Sequence, residues 1–245
     1  MRPRRTLATS ARVLKQLGHD HRTLALLFVV PVVLLGLLAW ILTDMPGVFD
    51  MIGAALLGIF PFVVMFLTTS IATLRERSSG TLERLLAMPM GKLDIILGYA
   101  LSFGLLAVGQ AVIASTVAVR LYGLDIAGPE WMLVLLAVAN ALLGTTLGLF
   151  ASAFARTEFQ ALQFMPAFIF PQFLLCGLLV PVDRLPSVLE AVANILPLTY
   201  AVDAMQLISR QPTISAEIWT DLAIVLAFAV AAVVLGAATL RRKTK

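Results

Sequence analysis

The stretch 75–99, RERSSGTLERLLAMPMGKLDIILGY, sets charged residues beside a short apolar stripe. That pattern suits a mechanical contact better than bond-making chemistry. Ser79 or Gly80 can cap a helix start, and Glu83 stands in the first turn, where the helix dipole favours an anion. Leu82, Leu85 and Leu86 follow at i, i+3 and i+4, and Pro89 ends the run. A helix of about two turns is marginal alone in water, so this one must dock on something. Lipid headgroups are one surface and a groove on a cytoplasmic protein is another. Glu76 and Glu83 favour the protein, because anionic lipid repels carboxylates.

Other chemistries lack their residues. Cys176 is the one cysteine, and His19 and His21 are the only histidines, so neither a disulfide framework nor a multi-cysteine metal site can be assembled. The sequence has no G-x-x-x-x-G-K-[ST] loop; Gly91-Lys92-Leu93 lacks both the upstream glycine and the hydroxyl. The long apolar stretches contain no Ser/His pair or paired Asp for hydrolysis, and no carboxylate or histidine relay for protons. If such a chain moves a solute, its energy must come from a partner.

The apolar stretches carry a few polar groups: Gln110, Asn140, Gln163 and Gln172. Both hydrogen bonding between helices and contact with a cargo fit them. Phe159, Phe164, Phe168, Phe170 and Phe173 line up around Pro166 and Pro171, either as an apolar wall for an amphipathic molecule or as a face turned to lipid. Gly144, Gly148 and Ser152 share one helix face, a small-residue stripe for close packing within the subunit.

The elements that must position these residues follow from composition. Hydrophobic residues make up 60% of the 245, charged residues only 13%, and the mean hydropathy is +0.97. A soluble domain of this size needs far more polar surface. Six stretches reach the roughly 20 apolar residues a membrane-crossing helix requires: Thr23–Leu42, Met51–Leu74, Ile95–Val119, Trp131–Ala155, Phe159–Val182 and Asp221–Leu240. No charged residue or histidine lies within them, Asp221 standing at an edge. With both termini cytoplasmic, the inner segments hold 15 of the 18 Lys/Arg and 5 of the 14 acids, a strong positive-inside asymmetry. Trp40, Trp131 and Trp219 all fall at outer ends of spans, as interfacial aromatics do. The first span has no small-residue cleavage site after it and reads as an uncleaved anchor.

Two further segments complete the expected architecture. Residues 4–18 place Leu7, Ala11, Leu14 and Gly18 on one stripe, with Arg5, Arg12 and Lys15 elsewhere, as in an amphipathic helix lying on the inner leaflet. Residues 183–220 are too polar to span, and Pro181, Pro186 and Pro197 divide them into short helices of a partly re-entrant outer hairpin. The fold expected is an all-α integral membrane protein with six transmembrane helices, an interfacial N-terminal helix and an outer re-entrant helical hairpin. It forms one transmembrane domain over 1–245: an interfacial helix in 1–22, spans one to five in 23–182, the hairpin in 183–220, span six in 221–240 and a tail in 241–245.

Two motifs add a family resemblance. Arg75-Glu76-Arg77, then Gly80-Thr81-Leu82-Glu83-Arg84-Leu85-Leu86-Ala87 and Pro89, resembles the signature of type-2 ABC transporter permeases. So does the late pattern Pro181-Val182-Asp183-Arg184-Leu185-Pro186 followed by Asn194-Ile195-Leu196-Pro197-Leu198-Thr199-Tyr200. The resemblance runs over nearly the whole chain, and the order of the pieces is more specific than any one of them.

The resemblance implies a permease subunit of an ATP-driven exporter in the cytoplasmic membrane, moving a hydrophobic or amphipathic compound such as a drug, antibiotic or lipid-like molecule. Glu76, Gly80, Thr81, Glu83, Arg84 and Leu85 would couple it to a cytoplasmic ABC ATPase subunit, with help from the entry helix near Ala8–Gly18. Gln110, Asn140, Gln163, Phe168 and Gln172 would lie on the cargo path, and Asn194, Pro197 and Tyr200 at an outer gate. A second permease copy or a paralogue and membrane lipid are the other partners implied; nucleic acid is not. The chain would bind no cofactor itself, ATP and Mg entering through the ATPase. Export of a lipid-linked polysaccharide is an alternative cargo, and a non-transporting scaffold or sensor that docks a cytoplasmic protein is the alternative of another kind.

Overall fold

Apolar runs in hydrocarbon must satisfy every backbone group internally, and this chain does so with helices. The structure is a computed structural model that describes residues 3–79 and 91–239. Its elements are α1 (Pro3–His19), α2 (His21–Ile41), α3 (Pro46–Ser78), α4 (Lys92–Arg120), α5 (Glu130–Ala151), α6 (Glu158–Phe164), α7 (Phe170–Leu175), α8 (Ser187–Ala193), α9 (Pro197–Arg210) and α10 (Ala216–Thr239). Among the described residues there is no strand. Local signals set the starts: Asp20 caps α2 by accepting from the Thr23 amide at 3.1 Å and the Thr23 hydroxyl at 2.6 Å. Pro46 opens α3, where its missing N–H costs nothing, and the Gly91 amide donates to Asp94 at the start of α4.

Five helices, α2, α3, α4, α5 and α10, are long and apolar enough to cross a membrane unbroken. The pair α8 and α9 qualifies only as a unit bent by 86°, a broken span or a re-entrant loop. The stretch expected as span five, Phe159–Val182, is not one helix. It runs as α6, a π-helical turn over Met165–Ile169, and α7, then leaves helical geometry before Gly177, whose φ is +87°. Pro166 and Pro171 explain the break, since each removes a backbone donor and crowds the preceding turn.

Helix α3 forms the centre, packed on α5, α2, α4 and α9. The small-residue stripe of α5 lies directly on it. A Cβ at Gly144 would collide with the Phe62 carbonyl, and one at Gly148 with that of Phe66, so packing within the subunit accounts for both glycines. Phe62, Phe66, Phe103, Leu27, Leu57 and Met132 are the large side chains sealed in the core.

The bundle has two chemically distinct ends. At one, the Asp50 carboxylate accepts from the Asp125 amide (2.9 Å), Ser209 donates to the Asp50 carbonyl (2.9 Å), and the Gly128 amide donates to Ile208 (3.0 Å). At the other, α1, the end of α3, the starts of α4 and α6, and the end of α5 converge around Arg12, Arg75 and Arg77.

Three details depart from expectation. Helix α3 continues past Leu74 and takes Arg75, Glu76 and Arg77 into its last turns. Helix α10 begins at Ala216, so Asp221 lies inside the helix and is 5% exposed, with its Oδ2 lacking a partner among the described residues. Counting apolar runs starts a span after its last charge and therefore misses a carboxylate covered by α9. On α1, Leu7, Ala11 and Gly18 of the expected stripe face outward, Leu7 being 58% exposed, and Leu14 is half-buried; the face that sequence did not offer, packed on the bundle, is Thr9, Ser10, Val13 and Leu17. Small residues decide that contact: Gly98 on α4 leaves room for Thr9, and Ser102 donates to the Ser10 carbonyl at 3.0 Å, so a close polar face packs inward and the apolar stripe is left for the leaflet.

Candidate functional site

The basic end is built around Glu76. Its carboxylate accepts from both terminal nitrogens of Arg12, Nη1 at 3.3 Å and Nη2 at 2.9 Å, and from the Tyr99 hydroxyl. Arg12 also donates to the Tyr99 oxygen (2.8 Å) and lies 5.8 Å from the centre of its ring. Three helices supply these residues: α1, α3 and α4. Glu76 is buried and its side chain only 7% exposed, whereas that of Arg12 is 33% exposed. A bidentate guanidinium–carboxylate pair of this kind is directional, so it fixes the angle of α1 as well as its distance.

Two more arginines extend the brace. Arg75 makes a forked pair with Glu158 at the start of α6, at 2.8 and 3.0 Å. Arg77 donates to the Ser152 carbonyl at the end of α5, where the helix dipole favours a cation. The consecutive triplet Arg75-Glu76-Arg77 thus reaches four other helices, α6, α1, α4 and α5, because neighbours in a helix point about 100° apart.

The residues singled out in the sequence fall into distinct settings. Gly80, Thr81, Glu83, Arg84 and Leu85 lie outside the described residues. Their flanks are described: α3 ends and α4 begins at the basic end, so the connection from Ser79 to Gly91 leaves and returns there. Glu76 points inward, to Arg12 and Tyr99, and its carboxylate is not on the surface. Arg12, which the sequence places off the apolar stripe of the N-terminal helix, is the partner of that carboxylate. Sequence reasoning missed Tyr99 and Glu158 as well, since no local spacing links residues 23 and 83 positions from their partners.

Gln110, Asn140, Gln163, Phe168 and Gln172 are not gathered into one cavity of the subunit. The Gln110 amide donates to the Leu27 carbonyl at 2.7 Å. That carbonyl lacks its normal helical donor because position 31 is proline, so Gln110 repairs the gap and ties α4 to α2. Asn140 is buried where α5 meets α3 and α9; a Cβ on Gly58 would touch its Nδ2 and approach Met205. Gln172 is buried on α7 and donates to the Phe168 carbonyl at 3.2 Å. Gln163 and Phe168 face outward, Phe168 closing one side of a cavity of about 150 Å³ with Phe150, Phe154 and Phe164.

Asn194, Pro197 and Tyr200 come together at the α8–α9 bend. Tyr200 donates its hydroxyl proton to the Asn194 carbonyl and Thr199 donates to that of Ala193, both at 2.7 Å. Pro197 opens α9. Those two side-chain bonds take up carbonyls at the end of α8 and fix the bend.

Fold and site together define a multi-pass α-helical membrane subunit whose basic end is braced by ion pairs. The chain belongs to the ABC-2 type transporter family, which matches it over residues 5–209. It is 27% identical over 198 residues to "ABC transporter G family member 20" of Dictyostelium discoideum, covering 80% of this chain and 27% of that protein. It is 27% identical over 168 residues to "Probable multidrug ABC transporter permease YbhR" of Escherichia coli (strain K12), covering 69% of this chain and 46% of that one. The "Linearmycin resistance permease protein LnrN" of Bacillus subtilis (strain 168) is 28% identical over 181 residues, 74% of this chain and 47% of that protein. The chain spans less than half the length of each of these relatives.

Proposed function

We propose that this chain is the permease of an ABC exporter in the cytoplasmic membrane, with both termini cytoplasmic, and that it moves a hydrophobic or amphipathic compound outward. ATP, with Mg, is hydrolysed by a separate cytoplasmic ATPase subunit, and two permease chains, identical or paralogous, form the membrane part. The observation that carries the reading is the Arg12–Glu76–Tyr99 cluster. It ties α1 to α3 and α4, the two helices whose ends hold the 79–91 connection. A partner pressing on that connection therefore acts on α1, α3 and α4 together. In this reading Gly80, Thr81, Glu83, Arg84 and Leu85 meet the ATPase, and Glu76 holds the platform beneath them rather than touching the partner. Gln163 and Phe168, exposed on the broken α6–α7 segment, face the second chain or the cargo, while Asn194, Pro197 and Tyr200 shape the outer closure.

The test is co-purification and cellular efflux with Glu83→Lys and Gly80→Leu. Both variants should insert normally, yet hold less of the ATPase and lose export. Undiminished co-purification and efflux in both would remove coupling from this segment.

A further inference from the structure

A cavity of about 450 Å³ lies at the basic end between α1, α2, α3 and α4, within the size range of small-molecule sites. Its deep wall is apolar: Val30, Val64, Leu67 and Phe103. Its mouth carries both signs of charge, with Asp20 and Arg75 on the rim. Leu26, also on the lining, is 62% exposed, so the cavity is open towards the bilayer rather than sealed in the core.

The dimensions match half a membrane. From Arg75 to Val64 along α3, or from Asp20 to Val30 along α2, the helix rise comes to roughly 15 Å at about 1.5 Å per residue. The hydrocarbon core is about 30 Å thick, so one leaflet is about the same depth. The lining reaches Val30 on α2 and Val64 on α3 and extends no further along either helix. The cavity therefore takes a chain that enters from one leaflet and stops at the midplane, which suits a resident molecule and not a passenger.

We propose that this cavity holds one acyl chain of a bilayer glycerophospholipid with a zwitterionic, amine-bearing headgroup, of the phosphatidylethanolamine kind. Arg75 takes the phosphate: its side chain is 55% exposed, and its pairing with Glu158 leaves Nη1 free of any bond in that fork. The Asp20 carboxylate takes the ammonium, since Thr23 donates one bond to each oxygen and a carboxylate accepts more. A lipid seated there fills the gap that α1 leaves against α2 and α3, and so supports the platform from its lipid side. The proposal needs only the membrane-embedded fold and stands apart from the ATPase reading.

The test uses the full chain purified in a mild detergent, delipidated, and titrated with phosphatidylethanolamine or phosphatidylglycerol under native mass spectrometry. One phosphatidylethanolamine per chain should be retained, at a concentration about tenfold below that needed for phosphatidylglycerol. Leu67→Trp and, as a milder second variant, Val64→Phe should each abolish the retained lipid by filling the cavity. Asp20→Asn should keep the cavity and the helix cap but lose the preference for phosphatidylethanolamine, because the ammonium at Asp20 is what separates the two headgroups, whereas Arg75→Gln should weaken both lipids alike. Retention unchanged in both filled variants, or no phosphatidylethanolamine bound by the wild type, would overturn the site. Equal affinity for the two lipids would overturn the headgroup assignment. No ATPase or transport enters the measurement, so its failure leaves the permease reading untouched.

Discussion

Replacing Arg12 by Met should release α1 from the bundle at a cost the geometry lets one work out. Removing one member of a fully buried ion pair costs about 3–5 kcal/mol, because the other charge is left uncompensated. Here the carboxylate is buried and the guanidinium a third exposed, so solvent already screens part of the pair. Arg12→Met strands the Glu76 carboxylate with only the Tyr99 hydroxyl, and should cost about 2–3 kcal/mol. Glu76→Gln leaves Arg12 free to hydrate and keeps one acceptor, so about 1–2 kcal/mol is expected. In the double variant the losses overlap, giving a coupling of about 1–2 kcal/mol. Denaturant unfolding of the purified chain in micelles measures all four corners of the cycle. Ser10, 4% exposed on the buried face of α1, gives an independent readout. In a Cys176→Ala background, Ser10→Cys should react with a thiol reagent at least about tenfold faster once Arg12 is Met, as a loss near 2 kcal/mol implies. A coupling below about 0.5 kcal/mol, or an unchanged labelling rate, would refute the brace.

The Gln110→Leu change should cost about 1–2 kcal/mol by leaving the Leu27 carbonyl unsatisfied in the bundle, and Pro31→Ala in the same chain should restore much of it, since residue 31 regains its amide; no rescue in the unfolding assay would contradict the proline-repair role. Gly144→Ala must displace α3 from α5, so a loss of at least about 2 kcal/mol is expected, against little for Gly18→Ala, where a Cβ meets nothing; comparable unfolding midpoints would speak against the glycine seam. The Thr23 bonds hold the Asp20 carboxyl below its usual range, so its capping contribution is present at neutral pH and fades as pH falls through that lowered value. Asp20→Ala should cost about 1 kcal/mol at neutral pH and progressively less in acid, read as the difference in unfolding free energy from wild type. For topology, cysteines at Gly47, Ala127 and Ser187 should react with an impermeant reagent on intact cells, and those at Ser78 and Thr157 only after the cells are opened; labelling of Ser78 from outside would invert the proposed orientation.

The helices with uninterrupted apolar runs were legible because hydrocarbon leaves the backbone no other solution. So was the packing use of Gly144 and Gly148, a local spacing that the α3 contact bears out. The break at 158–176 was half legible: Pro166 and Pro171 announce distortion, but whether a proline bends a helix or ends it depends on what satisfies the freed carbonyls. The face of α1 that meets the bundle was not legible, because nothing in the local spacing pairs Thr9 and Ser10 with Gly98 and Ser102, while the outward Leu7 is what a helix lying on the leaflet requires. The brace was hidden for a different reason. Arg12, Glu76 and Tyr99 are far apart in sequence, and each alone has an ordinary local role.

The same contrast bears on how the proposed coupling would move through the subunit. Along α3, tight contact runs from the Arg75–Arg77 triplet to Asp50 at the opposite end, with the glycine seam to α5 between them. A displacement at the 79–91 connection would thus carry α1, α3, α4 and α5 as one body. The α6–α7 segment is held differently: Ala161 and Phe164 pack on Leu74 and Ile71 of α3, but the rest is less constrained. It is tethered at Glu158 by a half-exposed ion pair, interrupted by a π-helical turn, and ends at Gly177, whose carbonyl accepts from Gln206 at 3.4 Å. Surface ion pairs contribute little and π-helical turns are rare irregularities, so in the proposed coupling this is the segment expected to move relative to the rest. Gln163 and Phe168 lie on that segment's outer face, while Gln110, Asn140 and Gln172 are engaged in or buried under the packing. Of the polar and aromatic groups the sequence offers for a cargo, those on this segment are therefore the ones whose exposure a power stroke would change in the proposed exporter.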